Sequence, residues 1–462
     1  MTQSHKQKQP SIQNAPDRER GQVLVIIVLA MVALLGMVAL AVDGGLVLVD
    51  RRGLQNAADA GTLAGGWQIA SSLEDNPTQI ITYANWSCKN SVLSAARTDG
   101  VKYAIDLVSQ NNYTVDDDIS DQNGVQTICY ELNEGSYVDK YVEVEVNITN
   151  QTETAFAHFV FGGELINTVE AKSRVRPRAA LALGYSILTY GADCGKGTIK
   201  FDTESYIRFN NPGGSGLYSY SCIEAKNSTL TRVRLANGAI NYRDKFQAAV
   251  YAPSPTLQTE PLPSFTLTVE TPDCSSLPNY GIVKIQNTSA TLLPGVYTTI
   301  EIDDSTVKMA PGLYCIATKF KVQDASKVYG DSVTLYIQGD KFETSINEET
   351  LIQLSAPQVV TGPEDGIQGI LIYMDPNNKN DVELRGIGGT GDASLDSFYK
   401  GTIYHANAEG KVIVGGDDKS TMNIYHVQIV SGSVEIKTEI DLEFVLDSSY
   451  IHQKPSNLNL VE

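Results

Sequence analysis

The 462-residue sequence predicts a chain that is α+β and mainly β: an N-terminal transmembrane helix, a small α+β domain and a C-terminal all-β domain. Three observations predict it. Gln22 to Val42 carries no charge, no Pro and one Gly, and at 1.5 Å per residue this run extends about 31 Å, the thickness of a bilayer's hydrocarbon core. Residues 73–178 mix helix-compatible segments with alternating ones such as Tyr141 to Ile148, whose valines and Ile148 share one side. From residue 181 onward, short β-rich segments alternate with turn clusters and no long helical pattern recurs.

Residues 1–20 are polar, carry Lys6, Lys8, Arg18 and Arg20, and lack apolar periodicity, which predicts a disordered tail. Those four basic residues, set against Arg51 and Arg52 beyond the run, place the N-terminus in the cytoplasm and the bulk of the chain outside it. Ala39-Leu40-Ala41 offers a competing reading as a signal-peptide cleavage site that would release a soluble product. The run is longer than a usual signal-peptide apolar region of about 7–15 residues, which favours a retained anchor. The region 21–72 is then a membrane helix and its continuation, with Leu46, Val49, Leu54, Ala57, Ala58, Leu63 and Ala64 at helical spacing. Ala57, Gly61 and Gly65 fall four apart, which lets another helix or a sheet approach closely; the plainer reading is an amphipathic helix lying on its own domain.

In 73–178, Ile80 to Tyr83, Ser91 to Arg97 and Val101 to Val108 have helical potential, while Gln126 to Leu132 and Tyr141 to Ile148 read as strands. An apolar block, Ala155 to Gly163, precedes a last strand at Asn167 to Val175, and Arg176-Pro177-Arg178 closes the unit. The region 181–450 carries two Pro-Gly-aliphatic-Tyr turns, at Pro294 and Pro311, and many strand-like pieces, among them Ser332 to Ile337, Gly369 to Tyr373, Gly401 to Tyr404 and Asn423 to Ile429. Their recurrence about every 15–25 residues suits a right-handed parallel β-helix, with a β-sandwich as the alternative. The proline-rich stretch 252–278 reads as a linker between an early and a late β portion, and 451–462 as a tail.

A net charge of −19 argues against nucleic acid or anionic lipid as a partner of the large domain, because phosphate binding needs clustered Lys and Arg. Cys88, Cys129, Cys194, Cys222, Cys274 and Cys315 all lie beyond the apolar run and form no CxxC motif; an even count in an exported region suits disulfides, against the alternative of buried free thiols. Six thiols allow fifteen pairings. Nearest-neighbour pairing keeps each bridge inside one unit.

Catalytic chemistry is thinly supplied. Of five histidines, His5 and His452 are near the ends, His158 sits in the apolar block as a packing residue, and His405 and His426 lack any metal-ligand spacing. The acids Asp116-Asp117-Asp118 with Asp121, Asp303-Asp304 and Asp417-Asp418 could offer oxygens to Ca²⁺, yet none spells a calcium loop, and solvated turn acids are the default. No catalytic site, cofactor or metal is therefore expected. Sequons at Asn85, Asn112, Asn147, Asn150, Asn227 and Asn287 add only a weak sign of exposure.

Residues 20–66 resemble the N-terminal signature of Tad (tight adherence, Flp pilus) assembly proteins of the TadE/TadG-like kind. The resemblance rests on Arg20-Gly21-Gln22, Asp43-Gly44-Gly45, Arg51-Arg52 and Leu54-Gln55-Asn56-Ala57-Ala58-Asp59-Ala60 ahead of Leu63-Ala64-Gly65. It implies a pilin-like α+β domain, a membrane-anchored, surface-exposed protein acting in pilus assembly or adhesion without catalysis, and pilus-assembly or filament proteins, the membrane and surface glycans as partners. Two departures stand out. The position five residues after Gly21, where processed prepilins carry Glu, is Ile26, and the DxSxS metal site of a von Willebrand type A domain has only a superficial echo in Asp392 to Ser397. A secreted β-helical carbohydrate-active enzyme and a structural coat protein are the alternatives.

Overall fold

The computed structural model describes residues 20–461 except 77–78, 136, 157–164, 211–215, 228, 248, 264–266, 345–349, 389–391, 393, 416–423, 439–440 and 448. His5, His158 with most of its apolar block, and Asp417-Asp418 lie outside the described residues.

The apolar run and its continuation form one 55-residue helix, α1 (Arg20–Glu74). Among the described residues Val23 to Val38 is exposed, mostly apolar surface, on a helix long and apolar enough to cross a membrane. The second half is the spine of the α+β domain. There it packs against α2 (Ser91–Gln110) and a four-stranded antiparallel sheet containing β1 (Gly124–Asn133), β2 (Val138–Thr152) and β3 (Leu165–Arg176). The pleat puts Val142, Val144, Val146 and Ile148 on one face, where they meet Leu54, Ala57, Ala58 and Ile69 of α1. Burying each large aliphatic contributes about 1.5–3 kcal/mol.

The two helical segments expected at Ser91 and Val101 are one helix, because Gly100 between them is buried against Ile69 and Gly65 rather than breaking the turn. Asn90 starts it by accepting the N–H of Val92 on its side chain. Ile80 to Tyr83 is not helical. Ile81 N–H donates to Leu73 O at 3.1 Å and Tyr83 N–H to Arg178 O at 2.7 Å, so this segment spends its backbone bonds on distant partners. The fourth strand is Asn457–Val461, in the stretch read as a tail; it pairs antiparallel with β3, Leu458 opposite Val175. Cys88 and Cys129 are bridged within this domain.

The remainder is mainly β, and its large sheet is parallel throughout. Three stacks of strands run through it. One stack reads Thr256–Leu257, Ala239–Tyr242, Gly216–Ser219, Tyr185–Thr189, Ile424–Ser431, Phe398–His405, Ile370–Met374, Val333–Ile337, Gly312–Gln323, Gly295–Asp303 and Asn279–Gln286. The sequence order of these strands shows that the chain enters in the interior of the stack, at Tyr185–Thr189, and winds out to Leu257. It then crosses to the opposite end, restarts at Asn279 and winds back until Ile429 pairs with Ile187 and Ile436 with Phe201. Between the stacks lies one continuous core that includes the rings Phe320 and Phe342, 5.2 Å apart, and Phe209 and Phe444, 4.7 Å apart.

The crossing segment, read as a linker, is a strap laid over a row of tyrosines. Tyr218 donates to Glu260 O at 2.7 Å, Tyr220 to Leu262 O at 2.8 Å and Tyr373 to Val269 O at 3.2 Å, and Leu262 of the strap is itself buried. The Cys274–Cys315 bridge fastens the far end; Cys194–Cys222 joins neighbouring turns of the first portion. The α+β domain meets the β region at interior strands, where Gln453–Lys454 pairs with Ala179–Ala180 and Leu181 N–H donates to His452 O at 2.9 Å.

Candidate functional site

The signature residues all fall on α1, and its periodicity sorts them into three roles. Leu54, Ala57 and Ala58 are fully buried and pack into the domain core. Gly61 and Gly65 are the close-approach positions: a Cβ at Gly65 would lie 2.8 Å from the carbonyl oxygen of Gly100 and 3.2 Å from Val144, so only glycine admits both α2 and the sheet. Arg51, Arg52 and Asn56 are exposed, and Gln55 donates to Asp59 one turn on, at 2.9 Å. Gly44 and Gly45 face open space. Arg20, Gly21 and Gln22 begin the helix, and Ile26 is bare on it.

Asp43 and Asp50 do the most specific work. Asp43 is buried although it follows the apolar run directly, and its carboxylate accepts the backbone N–H of Ala155 at 2.7 Å and of Phe156 at 3.1 Å. Two turns on, Asp50 accepts from Asn150 Nδ2 at 3.1 Å, from Asn167 Nδ2 at 3.2 Å and from the Thr152 hydroxyl. Both strands of the β2–β3 hairpin and the chain just after β2 are thus tied to the helix by two carboxylate side chains. Burial, then the Asp50 charge, holds the Tyr113 phenol above its ordinary value, and a Cβ at Gly53 would lie 2.6 Å from that phenol oxygen. Asp50, Asn150, Thr152 and Asn167 escape a reading of the sequence, where Asn150 stands out only as a sequon.

The other singled-out residues are not brought together. His405 is buried with Nε2 against Asn380 O at 2.9 Å, and His452 has Nδ1 against Gln368 O at 2.6 Å. Burial pushes His405, His426 and His452 below the ordinary imidazole value. Asp116, Asp118 and Asp121 each accept a backbone N–H two residues on, closing their own turns. Asp303 accepts from Gln286 at 3.3 Å on the face of the β region, beside Glu301, which Lys284 and Lys319 hold down to about 2. All six cysteines are in the three disulfides. The group formed by Cys194, Cys222 and Asp244 therefore holds a bridge, with no thiolate to offer a metal.

No curated protein and no solved structure matches the chain. A family model described as "Putative Flp pilus-assembly TadE/G-like" matches residues 21–68, a span that runs along α1 from its second residue to one past Trp67. The exposed apolar stretch, the glycine approach positions and both hairpin-gripping aspartates lie inside that match, and over residues 21–68 the chain is similar to the TadE/G-like proteins of Flp pilus assembly.

Proposed function

We propose that the chain is a single-span protein of a Tad-type pilus or secretion apparatus, with its N-terminus in the cytoplasm and its bulk at the cell surface. It works in pilus assembly or adhesion by contact, without a covalent step or a cofactor. The observation that carries this reading is the coincidence of the TadE/G-like match with a helix that is bare over its first half and a domain spine over its second. Such a helix suits a protein held at a membrane and presenting a folded body beyond it. Its partners are the membrane, other pilus-assembly or filament proteins and surface glycans. Ile26, in place of the prepilin-type Glu, favours an accessory subunit over a processed major pilin. The β region is proposed to be a right-handed parallel β-helix. Parallel pairing throughout supports this over a sandwich, whose sheets are antiparallel. The taking up of His405 and His452 by packing supports a non-catalytic role.

Deletion of the gene tests the role. Loss of filaments is the outcome for assembly, and retained filaments with lost attachment the outcome for adhesion; unchanged filaments and unchanged attachment would overturn both. Fractionation should find the chain in membranes, and recovery of a soluble form starting at Val42 would sink the anchor.

A further inference from the structure

We propose that Phe156, just after β2, and Leu165 and Ile166, at the start of β3, form a second membrane contact, seated in the lipid headgroup layer beside the anchor. The inference rests on the reading of α1 as a membrane span. The uncharged run ends at Val42, yet the bare apolar surface of the helix does not: Leu46, Leu48 and Val49 are 42%, 61% and 69% exposed. From Val23 to Val49 the helix rises about 40 Å, which matches a bilayer with its headgroup layers rather than its hydrocarbon core alone. Arg51 and Arg52, both exposed, then stand at the outer rim, where phosphates are. Asp43 sits about 9 Å below Val49 on this scale, at the boundary between acyl chains and headgroups. A carboxylate is costly there unless its acceptors are filled. They are filled by the N–H groups of Ala155 and Phe156, so the segment that follows β2 is held down at that depth.

The described residues flanking this clamp are apolar and bare. Phe156 is 46% exposed on one side, and Leu165 and Ile166, at the start of β3, are 39% and 64% exposed on the other. The pairing of Leu165 with Thr152 and of Ile166 with Gln151, and the bonds from Asn150 and Asn167 to Asp50, put these residues at the level of Leu46 and Val49 on α1, the height of the bilayer face. Among the described residues no other element packs on Ile166. An apolar surface fixed at the height of a membrane to which the chain is already anchored is in contact with lipid, since the anchoring makes that contact effectively intramolecular.

The full chain is reconstituted in phosphatidylcholine–phosphatidylglycerol vesicles as the parent, as Phe156→Trp and as Ile166→Trp. The native Trp67, exposed well above the surface, and buried Trp86 give the background. The added emission should be quenched at least two-fold by lipids brominated near the headgroup, and no more than half as well as Trp67 by acrylamide in the water. Acrylamide quenching equal to that of Trp67, with no effect of brominated lipid, would overturn the contact. Protection from both quenchers would overturn it too, because protein would then cover the surface. A chain that fails to float with the vesicles sinks the anchor itself, an outcome distinct from the other two.

Discussion

At the scale of single residues, the signature on α1 is a set of packing instructions. Gly65 is there because the backbone of α2 comes within reach of any side chain; Gly65→Val should cost about 1–3 kcal/mol by overpacking. Guanidinium unfolding followed by the fluorescence of buried Trp86 measures that loss. Asp50 is there because three side chains from the hairpin need one acceptor. Asp50→Ala leaves the Asn150, Thr152 and Asn167 donors without it and should cost about 1–3 kcal/mol in the same assay, with faster exchange of the amides at the hairpin end. The glycine spacing is legible in the sequence, because small residues four apart share a helix face. The role of Asp50 is not, because nothing local says which distant side chains will arrive. Asn147 and Asn150 read as sequons for the same reason: a three-residue pattern carries no information about what lies across the fold.

At the scale of elements, local pattern predicts type well and boundaries poorly. The strand-like pieces read at Ser332, Gly369, Gly401 and Asn423 fall on strands of the β region, whereas the sequence pattern does not single out the strands between Tyr185 and Leu257; the first helical segment is not a helix, because its backbone bonds to Leu73 and Arg178 instead of to itself. The strap shows the same asymmetry. Its prolines mark it as irregular, but only the fold reveals that Tyr218, Tyr220 and Tyr373 line up to receive it. Its disulfide closes a loop of about 40 residues, worth about 3–4 kcal/mol if the bridge acts by restricting the unfolded chain. The double variant Cys274→Ser with Cys315→Ser should lose stability on that scale in denaturant, with proteolytic cutting appearing first within 258–278. Equal protease resistance in the variant would show that the tyrosines alone hold the strap. Deleting 456–462 is a sharper test of the sheet. It uncovers the β3 edge and Leu458's place against Gly66 and Val175, and should turn the α+β domain aggregation-prone in detergent while the β region remains folded.

At the scale of the whole molecule, acid should act in two windows. His405 and His452 have folded values below the ordinary 6.5, so below that pH the unfolded chain takes up protons that the folded one resists, and stability falls as pH drops from about 6.5. Glu301 and Glu409, each held down to about 2 by two lysines, act lower: what they contribute is complete above the ordinary 4.5 and lost as pH falls toward 2. Glu409 is exposed and Glu301 partly so, both within reach of solvent screening, so the upper window should be the larger. Thermal melts from pH 8 to pH 3 check this; a midpoint that stays level between pH 7 and pH 5 would contradict it. The sequence conveys the membrane helix and the mainly β remainder, which depend on local pattern, and an even set of cysteines suited to disulfides, but not which of fifteen pairings they form. It conceals the order of the strand stack, which depends on where the chain re-enters.

The strand Asn457–Val461 has a bearing on how the protein is made. Its neighbour in the sheet, β3, ends at Arg176, so about 280 residues are synthesised between the two. Throughout that interval the membrane-proximal domain waits with one edge open and Leu458's slot over Gly66 unfilled. Loop closure over such a span is slow. The α+β domain is therefore completed by a late closing stitch, and a chain cut short anywhere in the β region would be left with an unpaired edge, a form that a quality-control protease could tell from one with the stitch in place.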